Sequence, residues 1–288
     1  MQTRTTHSTL LVSLSLSAAL ACSPLPPIPA PTGLDGVPIE APTVASESEE
    51  QEAKTITSRA AAARAVGNID EATQLEDTVL SRFQGSLAAV DILLRRAREH
   101  VSAGRFSDAL DLYRRALFFR PDHPDTDKAR REYADVLMDL ELYDEAAQLL
   151  GALFESSESV EGKIELGLRY SDAMRKVGRS SDGLYVILDL LALNGVTEAQ
   201  RDKLREHGAE VIRTELSLET LTLLHPDIRD IAKWSPFRDL VGYELISRNY
   251  DERLLDACKV LIEEEVGRPS HQYKNEITVI QQLLINRA

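Results

Sequence analysis

The sequence predicts an all-α protein made of helical hairpins laid one against the next, and three observations carry that expectation. From about Ser48 onward, Ala-, Leu-, Glu- and Arg-rich segments alternate with short breaks and show almost none of the β-branched alternation of strands. Within them, small and large residues recur at a fixed spacing of 37 residues. Finally, 43% of the 288 residues are hydrophobic and only 14 are glycine, enough for a sizeable core in one domain or an extended array.

Residues 1–21 read as a signal peptide. Their single charge, Arg4, precedes an apolar run over residues 10–21 that, at about a dozen residues, is too short to span a bilayer. The run ends in Ala19, Leu20, Ala21 and Cys22, which resembles the lipobox of bacterial lipoproteins, with Ala19 where Leu is more usual. The resemblance implies that Cys22 becomes the lipidated first residue and that the membrane is a partner through this anchor. Residues 22–47 follow as anchor and tether, expected to be disordered. Seven of the twelve prolines fall here (Pro24, Pro26, Pro27, Pro29, Pro31, Pro38 and Pro42), a density that denies both helix and sheet hydrogen bonds. In extended polyproline geometry such a tether would hold the next domain up to ~80 Å from the anchor.

Residues 48–235 carry the repeats, starting near residues 53, 90, 127, 164 and 201. The clearest copy contains the stretch 104–121, with Gly104 at position 15, Phe106 at 17, Ala109 at 20, Tyr113 at 24, Ala116 at 27 and Pro121 at 32, preceded by Leu93 at 4 and Ala97 at 8. Position 8 reads Ala60, Ala97, Ala134, Ser171 and Gly208, and position 20 reads Ala72, Ala109, Ala146, Gly183 and Thr220, all small. Small side chains there let two helices approach closely while larger neighbours fill the space beside them. This pattern is similar to the tetratricopeptide repeat, and the resemblance implies a right-handed superhelical solenoid with a groove for partners. The longer period, with turns such as residues 120–128, resembles the repeats of bacterial envelope lipoproteins.

After Leu224 the register is expected to slip. A turn at residues 225–230 and the only tryptophan, Trp234, precede a degenerate final hairpin (helices over 236–247 and 251–266) and a capping helix over 271–286, which together make up residues 236–288. Leu254, Leu255, Cys258, Leu261 and Ile262 mark the buried face of the second of these helices, and Ile277, Ile280 and Leu284 that of the last. Cys258 is read as a small buried apolar residue.

No motif for chemistry stands out. None of the six histidines has a partner at metal-ligand spacing, and phosphate loops, nucleophile elbows and dinucleotide fingerprints are lacking. The expectation is therefore a non-enzymatic protein with no cofactor and no metal. Glu263, Glu264 and Glu265 read as a solvated face, because adjacent carboxylates on a helix point in different directions. A net charge of -14 opposes nucleic-acid binding, which needs concentrated basic surface. By resemblance to the repeat family, first-helix positions 2, 5, 9, 12 and 13 face the groove. Arg98, Lys128, Arg131, Arg175, Lys176, Arg205 and Arg213 occupy them, with Asp91, Asp135, Asp139, Glu165, Asp172 and Asp202 on the same surface.

The lipobox, linker and repeats imply an outer-membrane lipoprotein facing the periplasm of a Gram-negative bacterium, Ser23 favouring the outer membrane. The implied role is a scaffold for a protein or peptide partner in cell-wall synthesis or outer-membrane assembly. Two alternatives stand beside it. The same front half occurs in lipoprotein activators of penicillin-binding proteins, whose second, periplasmic-binding-type domain is not seen here. A small-molecule binder or an envelope hydrolase is the rival of a different class.

Overall fold

The computed structural model describes residues 26–32, 38–230, 235–268 and 270–286, and among them the protein is all-helical, with thirteen helices. They run in sequence as antiparallel pairs: α1 (Glu47–Ala65) with α2 (Ile69–Arg82), α3 (Leu87–Ser102) with α4 (Phe106–Phe119), α5 (Thr126–Asp139) with α6 (Tyr143–Ser156), and α7 (Val160–Lys176) with α8 (Ser180–Ala192). Two further hairpins follow, α9 (Glu198–Thr214) with α10 (Leu218–Asp230) and α11 (Arg238–Asp251) with α12 (Leu255–Val266), and then the final helix α13 (Lys274–Ile285). Most helices pack on their neighbours in sequence, while α9 packs on α8 and α11 and α13 on both α11 and α12; the core has one continuous stretch from Val90 to Leu245 and smaller clusters at either end.

Local chemistry fixes where the helices begin. Ser46 and Glu49 form a capping box at α1, Thr197 and Gln200 another at α9, and the Ser86, Ser159 and Asn68 side chains cap α3, α7 and α2. Within each hairpin the first helix ends in the same turn. A backbone N–H reaches back five residues to a carbonyl, in the bonds Asn68 to Ala63, Arg105 to His100, Leu142 to Leu137, Arg179 to Met174, Leu216 to Val211 and Leu254 to Asn249, at 2.8–3.2 Å. The donors are 37 residues apart through the fifth hairpin and 38 at the sixth, so the register slip after Leu224 amounts to one residue.

The residue before each donor takes a left-handed backbone conformation at Gly67, Gly104, Glu141, Gly178 and Arg253, where φ lies between 59° and 81°. Glycine accepts this without cost, and Glu141 and Arg253 bear the Cβ penalty. In the fifth hairpin Glu215 has φ -120° and departs from the pattern.

The positions read as small are the helix contacts. Ala60, Ala97, Ala134 and Ser171, and opposite them Ala72, Ala109 and Ala146, are each at most 1% exposed. In the fourth hairpin Ser171 Oγ donates to Gly183 O at 2.9 Å, and a Cβ on Gly183 would stand 2.9 Å from Ser171 O. The slip of one residue puts Cys258 at the same place in the sixth hairpin, fully buried with Sγ 3.5 Å from Ile246 O. Burial pushes its thiol pKa up, as expected of a cysteine that serves as a small packing residue.

Four expectations are corrected. Residues 225–230 are not a turn, since α10 continues through Pro226 to Asp230; Trp234 lies outside the described residues. Leu254 is 48% exposed as the residue before α12, because the slipped register moves it out of the buried face. Glu265 is buried while Glu263 and Glu264 are exposed, so the acidic run is split between core and solvent. The described part of the proline-rich segment also does not trail free. Pro31 is buried, and Ile28 and Ile39 pack against the main core.

Two substitutions test this register. Glu141→Gly removes a left-handed Cβ and should raise the denaturant midpoint by an amount worth up to about 1 kcal/mol. Gly208→Ala should do the opposite by about 1–3 kcal/mol, because its Cβ would meet the buried Phe237 ring at 2.3 Å; equal effects from the two would contradict the assigned turn and contact positions.

Candidate interaction surface

The sequence-predicted groove residues lie on the first helices of successive hairpins; Arg98, Arg131 and Arg175 engage the next first helix, and Lys128 and Arg205 pair within their own. Arg98 Nε on α3 donates to Glu132 on α5 at 2.9 Å, and Lys128 Nζ stands 4.0 Å from the same carboxylate. Arg131 reaches Glu165 on α7 at 3.7 Å, and Arg169 pairs back to Asp135 on α5. Arg175 binds Asp172 at 3.1 Å, Glu210 at 3.7 Å and Glu215, and it pulls the Glu215 carboxyl below its ordinary pKa. Arg205 is held within α9 by Glu198 and Asp202 at 2.7 and 2.9 Å, and Arg213 Nη2 donates to Tyr273 OH at 3.3 Å. Lys176 is exposed at the end of α7.

Of the acidic residues placed on this surface, Glu165, Asp172 and Asp202 are counter-ions of these basic ones, Asp135 is that of Arg169, and Asp91 faces His123 Nε2 at 3.2 Å. Arginines and carboxylates alternate across the first helices as a ladder whose rungs join one hairpin to the next. Most rungs are partly exposed, so each contributes only about 0.2–1 kcal/mol; their joint effect is to hold the spacing of the helices.

A stronger polar hub lies at the first hairpin and was not legible in the sequence. Glu76 holds repeat position 24, the place of Tyr113 in the next copy, and is 4% exposed. Arg64 from α1 and Arg95 and Arg96 from α3 converge on its carboxylate at 2.7, 2.6 and 3.1 Å. Burial opposes ionisation of Glu76, but the hydrogen bond from Arg64 and the charge of Arg95 outweigh it, and its pKa is lowered. Tyr113 makes the corresponding bridge from α4, its hydroxyl donating to Glu132 at 3.2 Å, while burial and that carboxylate push the phenol pKa up. Beside Glu76 lies a cavity of about 480 Å³ lined by Thr57, Ala61, Arg64, Glu76, Ile92 and Arg95.

A second cluster gathers on Glu265. Arg268 Nη1 donates to it at 2.6 Å, and His271 and His225 bring Nε2 to 3.0 and 3.4 Å. His271 Nδ1 accepts the Tyr273 N–H at 3.1 Å, which places the proton of a neutral ring on Nε2, facing Glu265. A nitrogen so protonated is a donor and not a ligand, and among the described residues no group of His, Cys, Asp and Glu is arranged to hold a metal ion. His100 sits at the turn of its hairpin, its Nδ1 3.2 Å from Asp108. No described helix is long and apolar enough to cross a membrane; Cys22 lies outside the described residues.

In comparisons with known proteins, no family model and no curated relative matches the chain.

The Glu76 hub yields a pH prediction. Because its folded pKa lies below the ordinary 4.5, its contribution is present above that pH and is lost as pH falls through the lower folded value. Glu76→Gln should cost about 1–3 kcal/mol at neutral pH, because the half-buried Arg64, Arg95 and Arg96 lose their one shared buried carboxylate while Arg95 and Arg96 keep Glu99 and Asp77. The deficit relative to the natural chain should shrink under acid in urea titrations; a constant deficit would remove the ionised carboxylate from the account.

Proposed function

We propose that this chain is a lipid-anchored envelope scaffold, a tetratricopeptide-like right-handed solenoid that binds a protein or peptide partner along the ladder of its first helices. The observation that supports the reading is the hairpin turn repeated every 37 residues, together with ion pairs that run from the first helix of one hairpin to the first helix of the next. Such a surface recognises a partner by its length and charge pattern, and needs neither cofactor nor metal. The lipobox-like segment before Cys22 supports export and anchoring, and with Ser23 supports an outer-membrane protein facing the periplasm. The partner then belongs to cell-wall synthesis or outer-membrane assembly, and the acidic chain is no nucleic-acid binder.

The engaged state of the ladder sharpens the kind of partner expected. A peptide that displaces no rung meets Lys128 and Lys176, the less tied cations of the surface, so it should bring carboxylates to them. Photocrosslinkers at Lys128 and Lys176 in cells should capture one common protein, and Lys128→Glu with Lys176→Glu should weaken its binding without altering the helical circular dichroism. Capture only from residues on the second helices would reject this surface. Metabolic labelling with a fatty-acid analogue should mark the chain and lose the mark on Cys22→Ser; persistent labelling would overturn the anchor.

A further inference from the structure

The proline-rich segment is bound to the helices at both of its described ends. Near its start, Pro26, Pro27, Ile28 and Pro29 lie against Tyr133 and Leu137 of α5 and Gln148 and Leu149 of α6. The Tyr133 hydroxyl is fixed by Arg114 Nε, which donates to it at 2.8 Å, so the residues under the prolines include an immobilised ring. Prolines suit such a surface because their extended conformation is pre-set and little entropy is lost on docking. Between the ends, Ile39 N donates to Pro31 O at 2.7 Å, and Thr32 and Pro38 form an antiparallel bridge.

Near its finish, Ala45 N donates to Gly85 O at 3.2 Å in the turn between α2 and α3. Gly85 is not among the residues with positive φ, so its own backbone does not require glycine. What requires it is the segment itself: a Cβ at residue 85 would stand 2.0 Å from Thr43 O. The same carbonyl of Gly85 accepts Arg120 Nη1 at 2.8 Å, and Arg120, whose side chain is 8% exposed, also binds Glu50 at 3.1 Å. One glycine, one buried arginine and an apolar groove two hairpins away thus serve a segment that the repeat alone does not need.

We propose that residues 26–32 and 38–46 form a docked strap that moors the anchor end of the chain to the α5–α6 groove, so that this face, and not the first hairpin, is held at the lipid surface. The inference rests on the proposed lipidation of Cys22. Four peptide units separate Cys22 from Pro26, a reach of about 14 Å, against the ~80 Å of a free tether. The third hairpin then stands next to the headgroups, and the partner surface on the first helices keeps one fixed orientation to the membrane. A partner must approach at the height that the strap sets.

Two measurements test this separately from the anchor. In the full chain carrying Cys22→Ser, spin labels at Ala30→Cys and Gln148→Cys, both exposed sites, should give one short, narrow distance. Gly85→Ala combined with Ile28→Asp should lose it while the helical circular dichroism stays; a broad distribution in the unmodified strap would overturn the docking. In the chain with Cys22 intact, reconstituted into phosphatidylethanolamine and phosphatidylglycerol vesicles bearing a headgroup quencher, a fluorophore at Gln148→Cys should be quenched more than one at Glu252→Cys in the last hairpin turn. The strap-breaking pair should abolish that difference. Equal quenching at the two sites with the short distance preserved would overturn the mooring and leave the docking. A chain that takes no fatty acid at Cys22 would overturn the lipid half in the same way.

Discussion

Everything in this protein depends on how closely the two helices of a hairpin can approach. Alanine, serine or glycine at the facing positions 8 and 20 brings the backbones together, and the large side chains, Leu93, Tyr113, Leu137, Leu150 and Ile187 among them, are then buried beside the seam. A methylene group added at that seam would force the helices apart along their whole length, which is why substitution there costs more than its volume suggests. In the fourth and sixth hairpins a side-chain donor crosses the seam, the Ser171 hydroxyl to the Gly183 carbonyl and the weaker Cys258 thiol to the Ile246 carbonyl. The sixth hairpin repeats the device one residue out of register, so it is a member of the array and α13 alone is the addition at the end.

Apolar packing also joins the hairpins, the second helix of each lying against the first helix of the next, as α6 does on α7 through Gly151 and Tyr170, and a second interaction is added along the first helices. The first helices are joined by charges, with Arg98, Arg131, Asp135 and Arg175 each reaching a residue about one repeat further on. At the two hairpins nearest the amino-terminal end the second helix takes part as well, through Glu76 and Tyr113. The cations that family resemblance places in the groove are therefore structural members first. A surface whose charges are already paired selects a partner by what remains unpaired and by shape, and it resists non-specific acidic ligands.

The hairpins were legible because their causes are local: residue size at a fixed period, a glycine at the turn, a proline after the second helix. Even the substitution of glycine by Glu141 did not obscure the period, since the bonds around it are made by the backbone. The charge ladder was half legible. The groove positions located its residues, but the pairing of Arg98 with Glu132 depends on the offset between neighbouring hairpins, which no spacing within one copy contains. Glu265 was misplaced because its partners Arg268, His225 and His271 lie on other elements. The strap was misread for a physical reason too: a run of prolines excludes helix and sheet, but it does not exclude docking, and only the groove can decide that.

Glycines at ordinary φ mark close contacts rather than turns. Gly67, Gly104 and Gly178 serve the turn and leave open space around the missing Cβ, so they belong to the repeat. Gly85, Gly208 and Gly242 lack a Cβ for another reason: at each, another group occupies its place, namely Thr43 of the strap, the Phe237 ring and, within the sixth hairpin itself, the Glu265 carboxylate. Phe237 and Glu265 both belong to the slipped sixth hairpin, and Thr43 to the segment before the first. Gly167 and Gly183 are also met closely inside the array, by Leu190 and Phe154 and by Ser171, so the crowded glycines mark close approaches along the whole chain and not at its ends alone. The Thr43 and Phe237 contacts nonetheless bring in segments that the hairpin repeat does not supply, one before the first hairpin and one after the fifth.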